Sequence, residues 1–268
     1  MIIRAFEEWL VGTGKSASTI KQRMNQIRYC ETHIPDFPHC DEAQIDKFMA
    51  TQLANVSPNY RKSMRSALMC FFGFAVKKKY LEVDPAYQMV KISIPRPLPR
   101  PVSEDALRIA YELATLDVQC MILLGSMGGL RLSEIANLHM DDREGNLLRV
   151  LGKGSKERII PMNATLSSAL DRWQAEIEWG YYFANPLTHS PWSISYVAIQ
   201  IKKDLPRKFS AHNLRHRAAS TAYGTTKDIR AVQELLGHAS VATTQLYTAI
   251  TSDDLKAVSD ATDWTDLF

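Results

Sequence analysis

Leu147-Leu148-Arg149-Val150-Leu151, followed by Gly152-Lys153-Gly154-Ser155-Lys156 and then Glu157-Arg158-Ile159-Ile160-Pro161, reads as two short strands joined by a glycine-bearing hairpin. On both sides of this hairpin the pattern is helical. Upstream, Ser103 starts a helix, and residues 117–127 form a nearly all-apolar helix expected to be buried. Gly128-Gly129 then breaks the chain, which resumes as a short helix over 132–138. Downstream, helices are expected at about 165–184, 194–203, 211–223, 228–236 and 240–249. The expected fold class is mainly α with a small antiparallel β-sheet.

Further towards the N-terminus the helical pattern continues. Ser18 is expected to cap a helix whose apolar positions are Ile20, Met24 and Ile27. Asp41 and Gln44 have capping-box spacing ahead of Ile45, Phe48 and Met49. Ser57-Pro58 marks a third start, with an apolar stripe through Tyr60, Met64, Ala67, Leu68 and Phe71. The composition breaks at about 92–102, where Pro95, Pro97, Pro99 and Pro101 alternate with other residues and favour an extended, semi-rigid chain. The expected division is a helical domain at 1–94, a Pro-rich linker at 95–101, a second domain at 102–250 and a tail at 251–268.

The chain has 268 residues, 46% hydrophobic and 23% charged, which fits globular domains and argues against disorder or a disulfide-stapled scaffold. Val118–Leu130, its longest mostly apolar stretch, is too short to span a bilayer, and the N-terminus lacks a secretory pattern. Four widely spaced cysteines fit reduced thiols, so a cytoplasmic location is expected. The net charge of +3 hides an uneven spread. Residues 1–100 hold 15 Lys+Arg against 9 Asp+Glu, residues 101–250 hold 16 against 15, and the tail holds one against five. The basic groups of the front domain are Lys21, Arg23, Arg61, Lys62, Arg65, Lys77, Lys78 and Lys79. They are candidate phosphate contacts, set against the plainer reading of a solvated helix face.

Four local patterns follow one another: Gly129-Leu130-Arg131-Leu132-Ser133-Glu134, the hairpin with Lys153 and Lys156, His212-Asn213-Leu214-Arg215-His216, and Leu236-Gly237-His238 with Tyr247 nine residues later. Two guanidinium forks such as Arg131 and Arg215 can clamp one phosphate and stabilise charge building on it. Glu134, three residues after Arg131, shares its helix face and reads as an orienting partner. His212 and Arg215 share a face in the same way, and an imidazole can take or give a proton near neutral pH. His212 and His216 have zinc-ligand spacing, but Asn213 stands where a zinc protease has glutamate, and no further ligands accompany them, so no metal is expected. His238 by itself would read as a C-terminal helix cap, and Tyr247 as one more core-edge tyrosine.

Together, in this order, the patterns resemble the tyrosine recombinase (phage integrase) family, with its Arg…Lys…His-x-x-Arg…His/Trp…Tyr signature, over Arg131–Tyr247. The resemblance implies a SAM-like helical core-binding domain and an α+β catalytic domain. It implies catalytic roles for Arg131, Lys153, His212, Arg215, His238 and the nucleophile Tyr247, with Glu134 in support and Lys156 as a phosphate contact. The implied reaction is cleavage and rejoining of duplex DNA through a 3′-phosphotyrosine, without cofactor, metal or ATP.

The implied partners are double-stranded DNA with core-type sites, a homotetramer on synapsed DNA and, as an optional addition, a directionality factor, with no membrane. The tail would dock on a neighbouring subunit or on its own domain. Because the helices begin almost at Met1, an arm-binding domain is not expected. A simple phage integrase is preferred, acting in the nucleoid. A Xer-type dimer resolvase or an integron or transposon recombinase is the alternative, and a type IB topoisomerase or a non-catalytic DNA-binding regulator the rival class.

Overall fold

The computed structural model describes residues 2–94, 100–152, 157–177 and 180–237. The chain divides into two compact units, Met1–Arg96 and Pro97–Phe268, with the division inside the proline-alternating stretch.

The first unit is all helix: α1 (Ile2–Gly12), α2 (Ala17–His33), α3 (Glu42–Thr51) and α4 (Pro58–Lys77). Its starts are set by side chains that take up the otherwise unpaired N–H groups of the first turn. Asp41 and Gln44 form the full capping box on α3, and Ser57 caps α4 with Pro58 at its first position. At α2 the cap is Ser16, whose hydroxyl accepts from the Thr19 N–H; Ser18, the expected cap, lies inside the helix. Both serines precede the apolar positions, and the extended backbone of Ser16 (φ −61°, ψ 147°) decides between them. The apolar stripes meet in one core around Phe6, Ile27, Met64, Leu68, Phe71 and Phe72.

The second unit is built on α6 (Leu116–Ser126), which is buried along nearly its whole length. Around it pack α5 (Glu104–Leu113), α7 (Leu132–Ala136), α8 (Ala164–Gln174), α9 (Ile194–Asp204) and α10 (Ala211–Thr226). The α10 contact is close: a Cβ added at Gly125 would lie 3.1 Å from the Leu214 Cβ. α11 (Ile229–Leu236) packs on α10 and on the sheet. The sheet has three antiparallel strands in the order β1 (Arg143–Glu144), β2 (Leu147–Leu151) and β3 (Glu157–Pro161). Leu148 pairs with Ile160 and Val150 with Arg158, so these four share the face turned to the core.

The sequence pattern overextends one helix. In place of helix over 165–184, α8 ends at Gln174. Gly180 then takes a left-handed φ of +71°, and Tyr181 bridges back to His139. Tyr182 and Phe183 are both buried, and the Tyr182 carbonyl accepts from the Trp173 indole at 2.8 Å. Isolated bridges at Tyr181 and Ala184 on either side of the two buried aromatics replace the helix expected there. The helix expected at 240–249 and the tail lie outside the described residues. All four cysteines are free thiols. Among the described residues no helix is long and apolar enough to cross a membrane.

Candidate active site

The site grows from the break after α6. Gly129 has φ +65°, a conformation that favours glycine, and a Cβ there would lie 2.7 Å from Leu236 Cδ2 and displace that side chain. The turn delivers Arg131 to the start of α7. Its backbone N–H donates to Glu134 Oε2 at 2.8 Å and its Nη1 to Oε1 at 2.7 Å, while Nη2 reaches the Gly237 carbonyl at 3.2 Å.

Glu134 is a hub. Its side chain is 2% exposed, and besides Arg131 it receives both terminal nitrogens of Arg158, at 2.9 and 2.8 Å. Arg215 Nη1 stands 4.0 Å away. Burial alone would raise the Glu134 pKa, but hydrogen bonds and charge from Arg158 and Arg131 outweigh it and hold the carboxyl below its ordinary range. It is therefore ionised at neutral pH and serves as an anchor, not as an acid. Three guanidiniums around one carboxylate leave an excess of positive charge. Arg215 and Arg158 are almost wholly enclosed, whereas the Arg131 side chain is 32% exposed, so the excess meets solvent at Arg131.

Arg215 and His212 come from the first turns of α10. Asn213 fixes that start: its Oδ1 accepts from the backbone N–H and hydroxyl of Ser210, and its Nδ2 donates to the Arg100 carbonyl at 2.6 Å. Arg215 donates to the carbonyls of Gly129 and Leu236, tying α10 to the α6 break and to the end of α11. Solvent still reaches His212, yet partial burial and then the Arg215 and Arg131 charges lower its pKa, favouring the neutral ring at pH 7. Its edge-to-face neighbour His216, ring centroids 4.4 Å apart, is lowered to about 4 by burial, His212 and Arg215. A neutral imidazole that feels the charge of a partly exposed arginine can accept a proton.

Of the sequence candidates, the structure brings together Arg131, Glu134, His212 and Arg215. Lys153, Lys156, His238 and Tyr247 lie outside the described residues. In the first unit α2 and α4 lie side by side, with Gln22 and Gln26 bonded to Ser63 and Arg23 donating to the Ser66 carbonyl. Lys21 and Lys62 are exposed on this pair. Arg61 is partly buried, and Arg65 directs two donors at the Met89 carbonyl, giving it a structural task. Lys77, at the end of α4, and Lys78 and Lys79 just after it are exposed, about 22 Å along the axis from Lys62 at 1.5 Å per residue. The candidates are therefore not one patch.

Arg158 has no role in the sequence motif. The signal was available in the strand pattern: alternation in β3 puts Arg158 on the same face as Ile160, the buried one, where a charge needs a partner.

The arginine cluster lies in a helical unit with a small three-stranded sheet, and the chain has relatives in sequence and in fold. The model of the Phage integrase family matches residues 103–253. The chain belongs to that family, the tyrosine recombinases. It is 32% identical to a tyrosine recombinase XerC of Myxococcus xanthus over 243 residues, covering 82% of this chain and 81% of the relative. A XerC of Chromohalobacter salexigens is also 32% identical, over 86% of this chain and 82% of the relative. In fold, the chain is similar to a lambda integrase dimer bound to a COC′ core site, with TM-score 0.77, 18% identity, and coverage of 98% of this chain and 78% of the other. A second such structure is XerH recombinase bound to a palindromic difH substrate, with TM-score 0.72, 22% identity, and coverage of 91% and 78%.

Proposed function

We propose that this recombinase cleaves and rejoins duplex DNA at specific sites through a 3′-phosphotyrosine formed on Tyr247. The observation that carries the reading is the buried Glu134 hub, which presents excess positive charge at Arg131 beside a neutral His212.

In the proposed step, a phosphodiester is held at Arg131, with Arg215 behind it and His238 as a further donor. The Tyr247 oxygen attacks phosphorus in line and its proton passes to His212. The bond to the 5′ oxygen breaks, and Lys153 protonates that oxygen. Since one phosphoester replaces another, the reverse attack by a 5′-hydroxyl reseals a strand without an external energy source. Phenol ionises near pH 10, so the base and the surrounding cations are needed to make the attack possible at neutral pH. Residues 1–94 add backbone contacts through Lys21, Arg23, Arg61 and Lys62, with Lys156 contributing from the second domain. Lys77, Lys78 and Lys79 form a separate contact.

Within this chemistry the first reading is integration of a mobile genome, with a tetramer on two synapsed sites and the tail 251–268 as the subunit contact. The curated relatives named XerC, matched over four-fifths of their length, favour a second reading, resolution of chromosome or plasmid dimers. A plasmid with two directly repeated sites, compared with two separate site-bearing molecules, separates the readings by whether resolution or fusion dominates.

The chemistry is tested with a nicked duplex bearing a site selected from a random pool, so that the cleaved fragment diffuses away. A covalent protein–DNA complex should accumulate with EDTA present and vanish in Tyr247→Phe. Trapping that survives the substitution overturns the nucleophile assignment, and strong EDTA inhibition overturns the metal-free mechanism.

A further inference from the structure

The structure assigns Arg158 as a positioning residue of the active centre: one guanidinium on β3 fixes both the Glu134 carboxylate and the last turn of α11. This rests on the recombinase reading above.

Arg158 projects from the core-facing side of β3, and its side chain is 10% exposed. Its two terminal nitrogens fork onto the two oxygens of Glu134, and its Nε donates to the Leu235 carbonyl at 2.9 Å. Three donors thus meet acceptors on two other elements. Glu134 in turn holds Arg131 at both its backbone and its guanidinium, so Arg158 acts on the exposed arginine through the carboxylate.

The packing around Arg158 is tight. Gly237 sits against it in a left-handed conformation (φ +62°), and a Cβ there would lie 2.9 Å from the Arg158 Cδ. In sequence, Arg158 follows Lys156 by two residues and Leu235 precedes His238 by three, so this side chain ties down the described ends of both candidate-bearing segments. Lysine can replace it only in part, because a single ammonium keeps the charge but lacks the planar fork that serves a carboxylate and a carbonyl in different directions.

The test uses full-length Arg158→Met and Arg158→Lys, with three measurements on each: equilibrium affinity for the site-bearing duplex, single-turnover cleavage of the nicked duplex at saturation, and amide hydrogen exchange. With Met, affinity should be roughly unchanged while the cleavage rate falls about 10- to 100-fold, the scale of misplaced reacting groups. Exchange should rise over 131–136 and 234–237 and stay unchanged over 2–94. Lys, which keeps the charge and guards against a Met variant that fails to fold, should lie between Met and wild type. Wild-type cleavage in the Met variant overturns the assignment, as does a parallel loss of affinity and rate with exchange raised throughout the second unit. If the wild-type protein itself forms no covalent complex, the recombinase reading fails. Arg158 is then decided by exchange alone: a local rise upholds its positioning of the two segments, and no change overturns it.

Discussion

Around Phe71 the first unit packs ring against ring, with Phe6, Phe37 and Phe72 at centroid distances of 5.1 to 5.3 Å, whereas around Glu134 the second unit encloses a carboxylate among three guanidiniums. The aromatic cluster is held by contacts that depend on volume and little on direction. The hub assigns each oxygen its own partners and loses its meaning if one charge is removed. A domain needs only the first kind of interior to fold; the second kind stabilises less and serves positioning.

The largest effects should come as a matched pair. Phe71→Ala should destabilise the first unit by about 3–5 kcal/mol, and Glu134→Leu the second by about 3–5 kcal/mol, by stranding the arginines. Conservative replacements then separate the two cases. Phe71→Leu should recover much of the loss, because cores tolerate apolar swaps of similar size. Glu134→Gln should stay strongly destabilised and cleave poorly, because the shape remains and the charge does not. Calorimetry with hydrogen exchange to identify the melting unit checks both, and a Gln variant with wild-type stability and rate would break the contrast.

A smaller effect is pH-dependent and should arise in the second unit. His216 stays unprotonated in the folded protein down to about pH 4, while an unfolded histidine titrates near 6.5. Between these values the unfolded chain binds the extra proton, so stability falls as pH drops from about 6.5 to about 4 and levels off below. His212, lowered for similar reasons, adds to the fall in the same direction. Glu134 acts at lower pH: its contribution is full above the ordinary carboxylate range and is lost as pH falls through its depressed folded value. Melting temperatures between pH 7 and 4 should show the upper fall, muted because the His216 ring is only partly buried. His216→Asn should flatten it, and an unchanged slope in that variant would contradict the assignment.

The smallest change in stability is expected on the first unit's surface. Lys62→Ala should leave stability within about 0.5 kcal/mol and reduce the slope of log affinity for DNA against log salt by about one. Arg65→Ala should instead lower stability, because its fork supports the Met89 carbonyl. Equal behaviour of the two variants would erase the distinction between a free cation and a structural one.

Much of this architecture was legible in the sequence because the signals were local. β2 and β3 appear with the strand bounds read from the sequence, and Asp41–Gln44 and Ser57-Pro58 begin their helices as capping chemistry requires. Sequence and structure differ where tertiary contacts decide. Ser16 and Ser18 are both sound caps by residue type, and the end of α8 depends on Tyr182 being buried against Trp173 and Gln174. The site was half legible. Arg131, Glu134, His212 and Arg215 stood out through spacing and family likeness, but spacing cannot show that Glu134 binds three arginines from three elements. Arg158 was hidden for that reason: its partners lie 24 and 77 residues away, and only its place on the inward face of a strand marked it.

The central claim is that Tyr247 is the nucleophile that takes the phosphoryl group held at the arginine site. Its direct test is the mass of the DNA-linked tryptic peptide after trapping on the nicked duplex. Cleavage after Arg230 and Lys256 yields residues 231–256, in which Tyr247 is the single tyrosine. The account predicts that this peptide alone carries the 3′-phosphonucleotide mass, placed by fragmentation on Tyr247. A link on any other residue would contradict it.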